Sequence, residues 1–219
     1  MKIVRRVLAC AFLGLAAIAA ADPTTVWTLA DPRQVGGHAP TVWGAPQSAA
    51  DGSLRFDGAA DGLVLPVNPI SGWGNFTVAV LFLPEAGGPD AQRFVHIEDT
   101  HGARLTVEDR LVPGKGWYMD TFLLSGSGPA ASRRALIDPA KLHPLGQWAW
   151  AELVYDGRRM TAYVDGIQEL AGEIAFPPMT DGRTSIGVRL NRICWFKGLI
   201  REIRFYRVAL APAELPRAR

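Results

Sequence analysis

Short stretches of alternating apolar and polar residues recur along this chain, and turn residues separate them. A period of two is typical of β-strands with one buried face, whereas no window after residue 21 shows the period of 3.6 of an amphipathic helix. Glycine and proline account for 23 and 16 of the 219 residues, so the chain turns often. The pattern predicts an all-β protein with strands at residues 26–29, 53–57, 62–65, 76–83, 93–98, 103–108, 117–124, 148–155, 160–165, 184–190 and 199–206.

These strands are too many for one flat sheet, and their alternation predicts a two-sheet antiparallel β-sandwich. Val95 and Ile97, for example, point to one side of their strand, and His96 and Glu98 to the other. Six Asp-Gly pairs lie beside the strands and indicate tight turns rather than calcium loops, which would cluster their acidic residues. Neither a linker nor a repeat divides the chain, so we predict one domain over residues 22–219.

Residues 1–21 have the features of a secretory signal peptide. They begin with the basic residues Lys2, Arg5 and Arg6, continue through an apolar stretch and end in three alanines before Asp22. The apolar stretch is short for a membrane span, which favours a cleaved leader over an anchor. We therefore expect a secreted or periplasmic protein with no membrane span once the leader is removed.

Charge and cysteine content narrow the class further. Three of the 23 basic residues belong to the leader, so the rest of the chain carries 20 basic against 21 acidic side chains. This near-neutral balance predicts no nucleic-acid partner. Cys194 is the one cysteine after the leader, so no intramolecular disulfide is expected and the hydrophobic core must stabilise the fold without one.

Five stretches carry a family resemblance over roughly residues 53–215. In chain order they are LRFDGAADGLVLP, FTVAVLFLP, GQWAWAELVYDGRRMTAYVDGIQ, TSIGVRLN and FKGLIREIRFYRVALAPAEL. In this order they make the chain resemble the laminin-G-like jelly rolls of the concanavalin A-like lectin/glucanase superfamily. The resemblance implies a jelly roll of two antiparallel sheets with one concave face.

The resemblance also bears on metal binding and catalysis. Family members commonly carry an acidic residue after the Gly-x-Ile of the last strand, often near a structural calcium ion. Here Arg201 follows Ile200 and Glu202 is displaced by one position, so calcium is left as a weakened expectation and no other cofactor or metal is predicted. Glucanases of the superfamily use Glu-x-Asp-x-x-Glu on one strand, and no glutamate here has an aspartate two positions on. We predict no catalytic residue, although Asp120 and Glu152 could meet across strands as an acid and base pair.

Aromatic and planar polar side chains favour carbohydrate binding. Aromatic rings stack on the apolar side of a pyranose, and planar polar groups bond its hydroxyls. Because Glu152 would be costly to bury without a partner, we expect its side of the strand to face water or a groove. The candidate ligand-binding residues are Tyr118, Asp120, Trp150, Glu152, Arg189, Asn191 and Trp195.

These features predict a secreted, non-catalytic, lectin-like module that binds an extracellular or cell-envelope polysaccharide in a concave groove. A protein-interaction or structural envelope module, with a protein partner, is the second interpretation, and a glycoside hydrolase or polysaccharide lyase of the same fold is the third. Clustered aromatic residues in a groove would favour a glycan, whereas a broad apolar patch elsewhere would favour a protein partner.

Overall fold

A computed structural model of the protein describes residues 21–218. The predicted leader, apart from Ala21, lies outside the described residues. Among those described there is no helix, and so none long and apolar enough to cross a membrane. Two antiparallel sheets account for the regular structure, which confirms the predicted all-β sandwich. The strands are β1 (Thr25–Thr28), β2 (Thr41–Trp43), β3 (Gln47–Ser48), β4 (Leu54–Asp57), β5 (Gly62–Leu65), β6 (Phe76–Pro84), β7 (Ala91–Asp99), β8 (Ala103–Val112), β9 (Gly116–Ser125), β10 (Arg133–Ile137), β11 (Ala149–Tyr155), β12 (Arg159–Val164), β13 (Ile167–Glu173), β14 (Gly182–Ile186) and β15 (Lys197–Tyr206).

The two sheets have eight and seven strands. The eight-stranded sheet has the order β13-β12-β11-β6-β15-β4-β3, and β1 joins it by pairing with the second half of β15, beyond the part that pairs with β4. The seven-stranded sheet has the order β10-β9-β8-β7-β14-β5-β2. Neighbours such as β6 and β15 are far apart in sequence, so the chain crosses repeatedly between the two sheets instead of completing one before the other.

The core lies between the sheets and has an aromatic centre. The Phe82 ring lies 4.0 Å from that of Phe94 and 4.9 Å from that of Trp117, centroid to centroid. Phe196 completes the group at 5.1 Å from Phe94. All four side chains are at most 1% exposed. Because burying each such side chain contributes about 1.5–3 kcal/mol, this core can hold the sandwich without a disulfide.

The eight-stranded sheet is buried on its outer side as well, by the C-terminal segment, residues 207–218. The hydroxyl oxygen of Thr77 accepts a hydrogen bond from the Leu210 N–H at 3.0 Å, which ties this segment to β6. Farther along, Asp165 accepts one from the Ala218 N–H at 3.0 Å. We call this outer side the covered face; its buried apolar residues are Ala79, Leu81, Trp150, Val154, Tyr163, Tyr206, Leu210 and Leu215.

Each of the eleven predicted strands overlaps a strand of the structure, but β2, β3, β10 and β13 are not predicted by the alternation. All four are edge strands of their sheets. The strand predicted at residues 184–190 ends at Ile186, because Gly187 has a φ of 75° and turns the chain away. The predicted turn at Asp165-Gly166 is confirmed: both residues have positive φ, 50° and 69°, as a two-residue hairpin loop requires.

Candidate functional site

The outer side of the seven-stranded sheet carries a dense group of charged side chains. On β8, Leu105 and Val107 belong to the core, so Arg104 and Glu108 point outward. The side chains line two depressions of about 200 Å³ and 220 Å³, which share Arg104 and Arg189 and therefore adjoin. We call this surface the charged face; it consists of Arg93, His96, Glu98, Arg104, Glu108, Arg110, Asp120, Phe122, Arg183 and Arg189.

Two neighbouring carboxylates of the charged face are each held by an arginine. Glu108 and Asp120 lie directly opposite one another on β8 and β9. The Asp120 Oδ2 accepts a hydrogen bond from Arg110 Nε at 2.9 Å and lies 2.8 Å from Arg110 Nη2. Glu108 forms an ion pair with Arg93. Both carboxylates are almost fully buried, and since removal of either arginine would leave a buried charge unpaired, these pairs fix the arrangement of the face.

His96 lies buried beneath the same face. The Leu190 N–H donates a hydrogen bond to His96 Nδ1 at 3.2 Å, and His96 Nε2 lies 3.6 Å from Glu98 Oε2. Burial, followed by the positive charge of Arg189 and three further arginines, lowers the pKa of His96 to about 3. The imidazole is therefore neutral near pH 7 with its proton on Nε2, because Nδ1 accepts, and it adds no charge to the face.

An aromatic group adjoins the charged face. In the loop between β14 and β15, Trp195 packs edge-on against Trp43 of β2, with ring centroids 6.2 Å apart. The Arg192 guanidinium lies over the Trp43 ring, 4.5 Å from its centroid. Gly62 leaves room for the neighbouring Val188 side chain, since a Cβ there would clash with Val188 Cγ1. We call Trp43, Arg192 and Trp195 the aromatic corner; both tryptophans are half-buried, so part of each ring faces solvent.

Five of the seven predicted site residues lie on this side of the molecule. Tyr118 is half-buried and lies on β9, two residues before Asp120 on the same side of the strand. Arg189 and Asn191 line the second depression together with His96. The fifth, Trp195, belongs to the aromatic corner. Their contact with a ligand stays a prediction.

The other two predicted residues, Trp150 and Glu152, lie on the covered face. Trp150 is 3% exposed and has the Arg204 guanidinium 4.5 Å from its ring centroid. Glu152 is fully buried; its Oε2 lies 3.5 Å from the Gly166 N–H, and its Oε1 has no partner among the described residues. The expectation that this side of the strand faces water or a groove is therefore wrong, because the C-terminal segment covers it. Burial raises the pKa of Glu152 well above its usual value.

Asp120 and Glu152 do not meet across strands as an acid and base pair. Asp120 projects from the seven-stranded sheet and Glu152 from the eight-stranded sheet, each on the side away from the core, so the whole sandwich separates them. Sequence reasoning also missed Trp43, which lies in a segment without strand alternation. Strand alternation could have placed Arg104 on the outer side of the sheet, because its neighbour Leu105 belongs to the core.

The residues at the last strand do not fit a calcium ion. Arg201 Nη2 lies 2.9 Å from Asp51 Oδ2, and its guanidinium lies 4.2 Å from the centroid of the Trp148 ring. Glu202 lies 2.5 Å from Arg204. Guanidinium groups thus hold the carboxylates that calcium would need as ligands. Across residues 21–218, no group of three or more His, Cys, Asp or Glu side chains is arranged to hold a metal ion.

Similar structures share this fold. Domain 4 of AbnA, a GH43 extracellular arabinanase from Geobacillus stearothermophilus in complex with arabinotriose, is 22% identical with a TM-score of 0.64, and the match covers 89% of this chain and 97% of that one. The binding domain of botulinum neurotoxin DC in complex with SialylT is 9% identical with a TM-score of 0.63, covering 88% of this chain and 50% of that one. A third solved structure, NanB plus Optactamide, is 16% identical with a TM-score of 0.59, and the match covers 83% of this chain and 28% of that one.

Comparison with curated proteins finds no match to this sequence. At these identities the solved structures establish the fold alone. A family model, however, matches residues 57–215, which is most of the chain, and its description is the concanavalin A-like lectin/glucanases superfamily. The matched residues run from the end of β4 through β15 and include both depressions of the charged face. The chain therefore belongs to the concanavalin A-like lectin/glucanases superfamily.

Proposed function

We propose that this protein is a non-catalytic, lectin-like module that binds an extracellular or cell-envelope polysaccharide on the outer side of its seven-stranded sheet. The observation that carries the proposal is that hydrogen-bonding depressions and half-buried tryptophans occur together on this side, whereas the C-terminal segment covers the other. Planar polar groups and aromatic rings are the two elements that hold a sugar. The proposal includes export by cleavage of residues 1–21 and a single mature domain over residues 22–219.

The known structures of similar fold support this choice. The arabinanase domain was solved with arabinotriose and the neurotoxin binding domain with SialylT, and the matched parts of both share the architecture of this chain. The exposed large apolar residues are scattered over β1, β2, β10, β13 and several loops, so they do not favour a broad protein-docking surface.

Binding is favoured over hydrolysis by the state of the two neighbouring carboxylates. A glycosidase needs one carboxyl group that keeps a proton to donate and a second that is free to attack or to activate water. Glu108 and Asp120 are instead each engaged by an arginine, so neither carboxylate is free for these roles. We therefore expect no release of reducing ends from any polysaccharide that binds.

The proposal can be tested by titration calorimetry of the mature chain with a panel of polysaccharides and oligosaccharides. Replacing Trp43 by alanine should weaken binding about two- to tenfold, since loss of a stacked ring costs roughly 0.5–1.5 kcal/mol. Trp148→Ala is the matched control: Trp148 is also a half-buried tryptophan under a guanidinium, but beside the eight-stranded sheet. If no glycan binds, the proposed function is contradicted. If both variants lose affinity equally, the proposed site is contradicted.

A further inference from the structure

The arginines of the charged face outnumber the carboxylates. Five arginines and three carboxylates line the two depressions, so the face carries two uncompensated positive charges. Each carboxylate lies near a different arginine: Glu108 near Arg93, Asp120 near Arg110, and Glu98 at 4.0 Å from Arg183. The two guanidiniums left over are those of Arg104 and Arg189.

Neither Arg104 nor Arg189 forms an ion pair among residues 21–218, although Glu98 of β7 lies directly opposite Arg104 in the sheet. Neither takes part in a salt bridge or donates a side-chain hydrogen bond there, and the buried Nε of Arg104 has no acceptor. Both side chains are half-buried and line both depressions, so they converge on the boundary between the two. An arginine presents five donors in a planar fork, and two such forks facing one space need acceptors that the protein does not supply.

The fold holds these like charges together at an electrostatic cost. Burial and the charge of Arg189 lower the pKa of Arg104, with only Glu98 acting in the other direction. His96 lies beneath them and stays neutral, so it neither offsets nor adds to the charge. Because both guanidiniums are half-buried, water hydrates them incompletely. Binding of an anion is therefore more favourable here than at an exposed arginine.

We propose that Arg104 and Arg189 form the receptor for the acidic group of an anionic saccharide. The two guanidiniums would bind a carboxylate or sulfate through charge-assisted hydrogen bonds, while the half-buried Phe122 ring, 5.8 Å from the Arg104 guanidinium, offers an apolar surface beside it. This inference rests on the proposed function and names its ligand class. The aromatic corner would then contact a neighbouring sugar of the same chain.

Three charged and neutral ligand pairs test the class and separate its sources. They are tetragalacturonate against the same oligosaccharide with its carboxyl groups reduced, sialyllactose against lactose, and dextran sulfate against dextran. We expect at least one charged member to bind at least about tenfold more tightly than its neutral partner, and more weakly as salt rises from about 0.05 to about 0.5 M. The pair that shows the difference identifies the acidic group.

Variants assign the effect to the two arginines. Arg104→Gln and Arg189→Gln should each weaken binding of the charged ligand at least about tenfold, and Arg189→Lys should lose less, because it keeps the charge and loses the fork. Arg207→Gln removes one exposed guanidinium beyond β15 and should change nothing. Equal binding of charged and neutral partners would overturn this inference and leave the proposed function standing. Binding of none of the six ligands, with no glycan bound in the wider panel, would overturn both.

Discussion

The two outer faces of this sandwich contrast in what happens to their polar residues. On the charged face, Glu108 and Asp120 are buried, and each is paired with an arginine. On the covered face, Glu152 is fully buried without a salt bridge among the described residues, and burial raises its pKa well above the usual value. The sheets are similar in pattern, so the difference comes from what covers them: the C-terminal segment lies on one and not on the other.

This contrast explains why aromatic residues near acids are not by themselves a binding site. Trp150 lies two residues from Glu152 on one side of a strand, as Tyr118 lies two residues from Asp120. The first pair is sealed beneath the C-terminal segment, and the second faces outward. The presence of a covering segment is a tertiary property, and it decides which face can bind a ligand.

The largest expected effect is on the covered face, from Trp150→Ala. Removal of this buried ring should lower the free energy of unfolding by about 3–5 kcal/mol, because the cavity left behind is only partly filled. Glycan binding by the folded fraction should be unchanged. Urea unfolding and calorimetry measure the two effects. If the variant loses binding at unchanged stability, the two faces have been assigned the wrong way round.

The second prediction concerns the pH dependence of stability. Burial raises the folded-state pKa of Glu152 above its usual 4.5, with the Gly166 N–H and Arg217 as weaker opposing influences. As pH rises, the unfolded chain therefore releases this proton before the folded chain does. The contribution of Glu152 to the free energy of unfolding is fully present below about pH 4.5 and is lost as pH rises toward and through the folded-state pKa. The loss has a slope of up to about 1.4 kcal/mol per pH unit.

Glu152→Gln tests this slope because glutamine has nearly the same shape and no proton to lose. Burial also raises the pKa of Asp109 and of Asp61, so the variant should keep their contributions to the slope and lose that of Glu152. Urea unfolding from about pH 4 to about pH 8 should therefore show the variant gaining on the wild type as pH rises. The exposed Glu173→Gln is the control, and parallel curves for all three proteins would contradict the prediction.

A smaller effect is expected on the charged face, from Asp120→Asn. The substitution weakens the charge-assisted hydrogen bond from Arg110, whose side chain is one-third exposed, so the cost should be about 1 kcal/mol. Asp51→Asn is the matched control, since it weakens the more exposed ion pair with Arg201 and should cost less. If the two variants cost the same in urea unfolding, the ion pairs of the charged face have no special role in fixing it.

Most of the fold could be predicted from the sequence because inner strands have one consistent buried side. Leu105 and Val107 on β8 alternate with polar neighbours, and that alternation also indicates the sheet face. The four strands that escaped prediction lie at the ends of the two sheets, where partners exist on one side alone and exposure is mixed. β13, with the sequence IQELAGE, has no residue that is fully buried.

The candidate site could be predicted in part, and the errors have one cause. Asp120, Arg189, Asn191 and Trp195 lie on the same side of the molecule, because strand parity places the first and one loop carries the other three. The covered face could not be recognised, because the segment that covers it is more than 50 residues from Trp150 in sequence. Periodicity reports which residues share a side, and only long-range packing reports what lies on that side.

The smallest expected effect, Arg189→Gln, separates a residue that binds from one that supports the fold. Arg189 has no acceptor to lose among the described residues, and its removal relieves repulsion with Arg104, so the free energy of unfolding should change by no more than about 0.5 kcal/mol. Arg93→Gln is the contrasting variant on the same face: it leaves the buried Glu108 carboxylate without its partner and should cost about 3–5 kcal/mol. A loss of similar size in both variants would show that Arg189 is part of the structural ion-pair network, and the space between it and Arg104 would then have no reason to attract an anion.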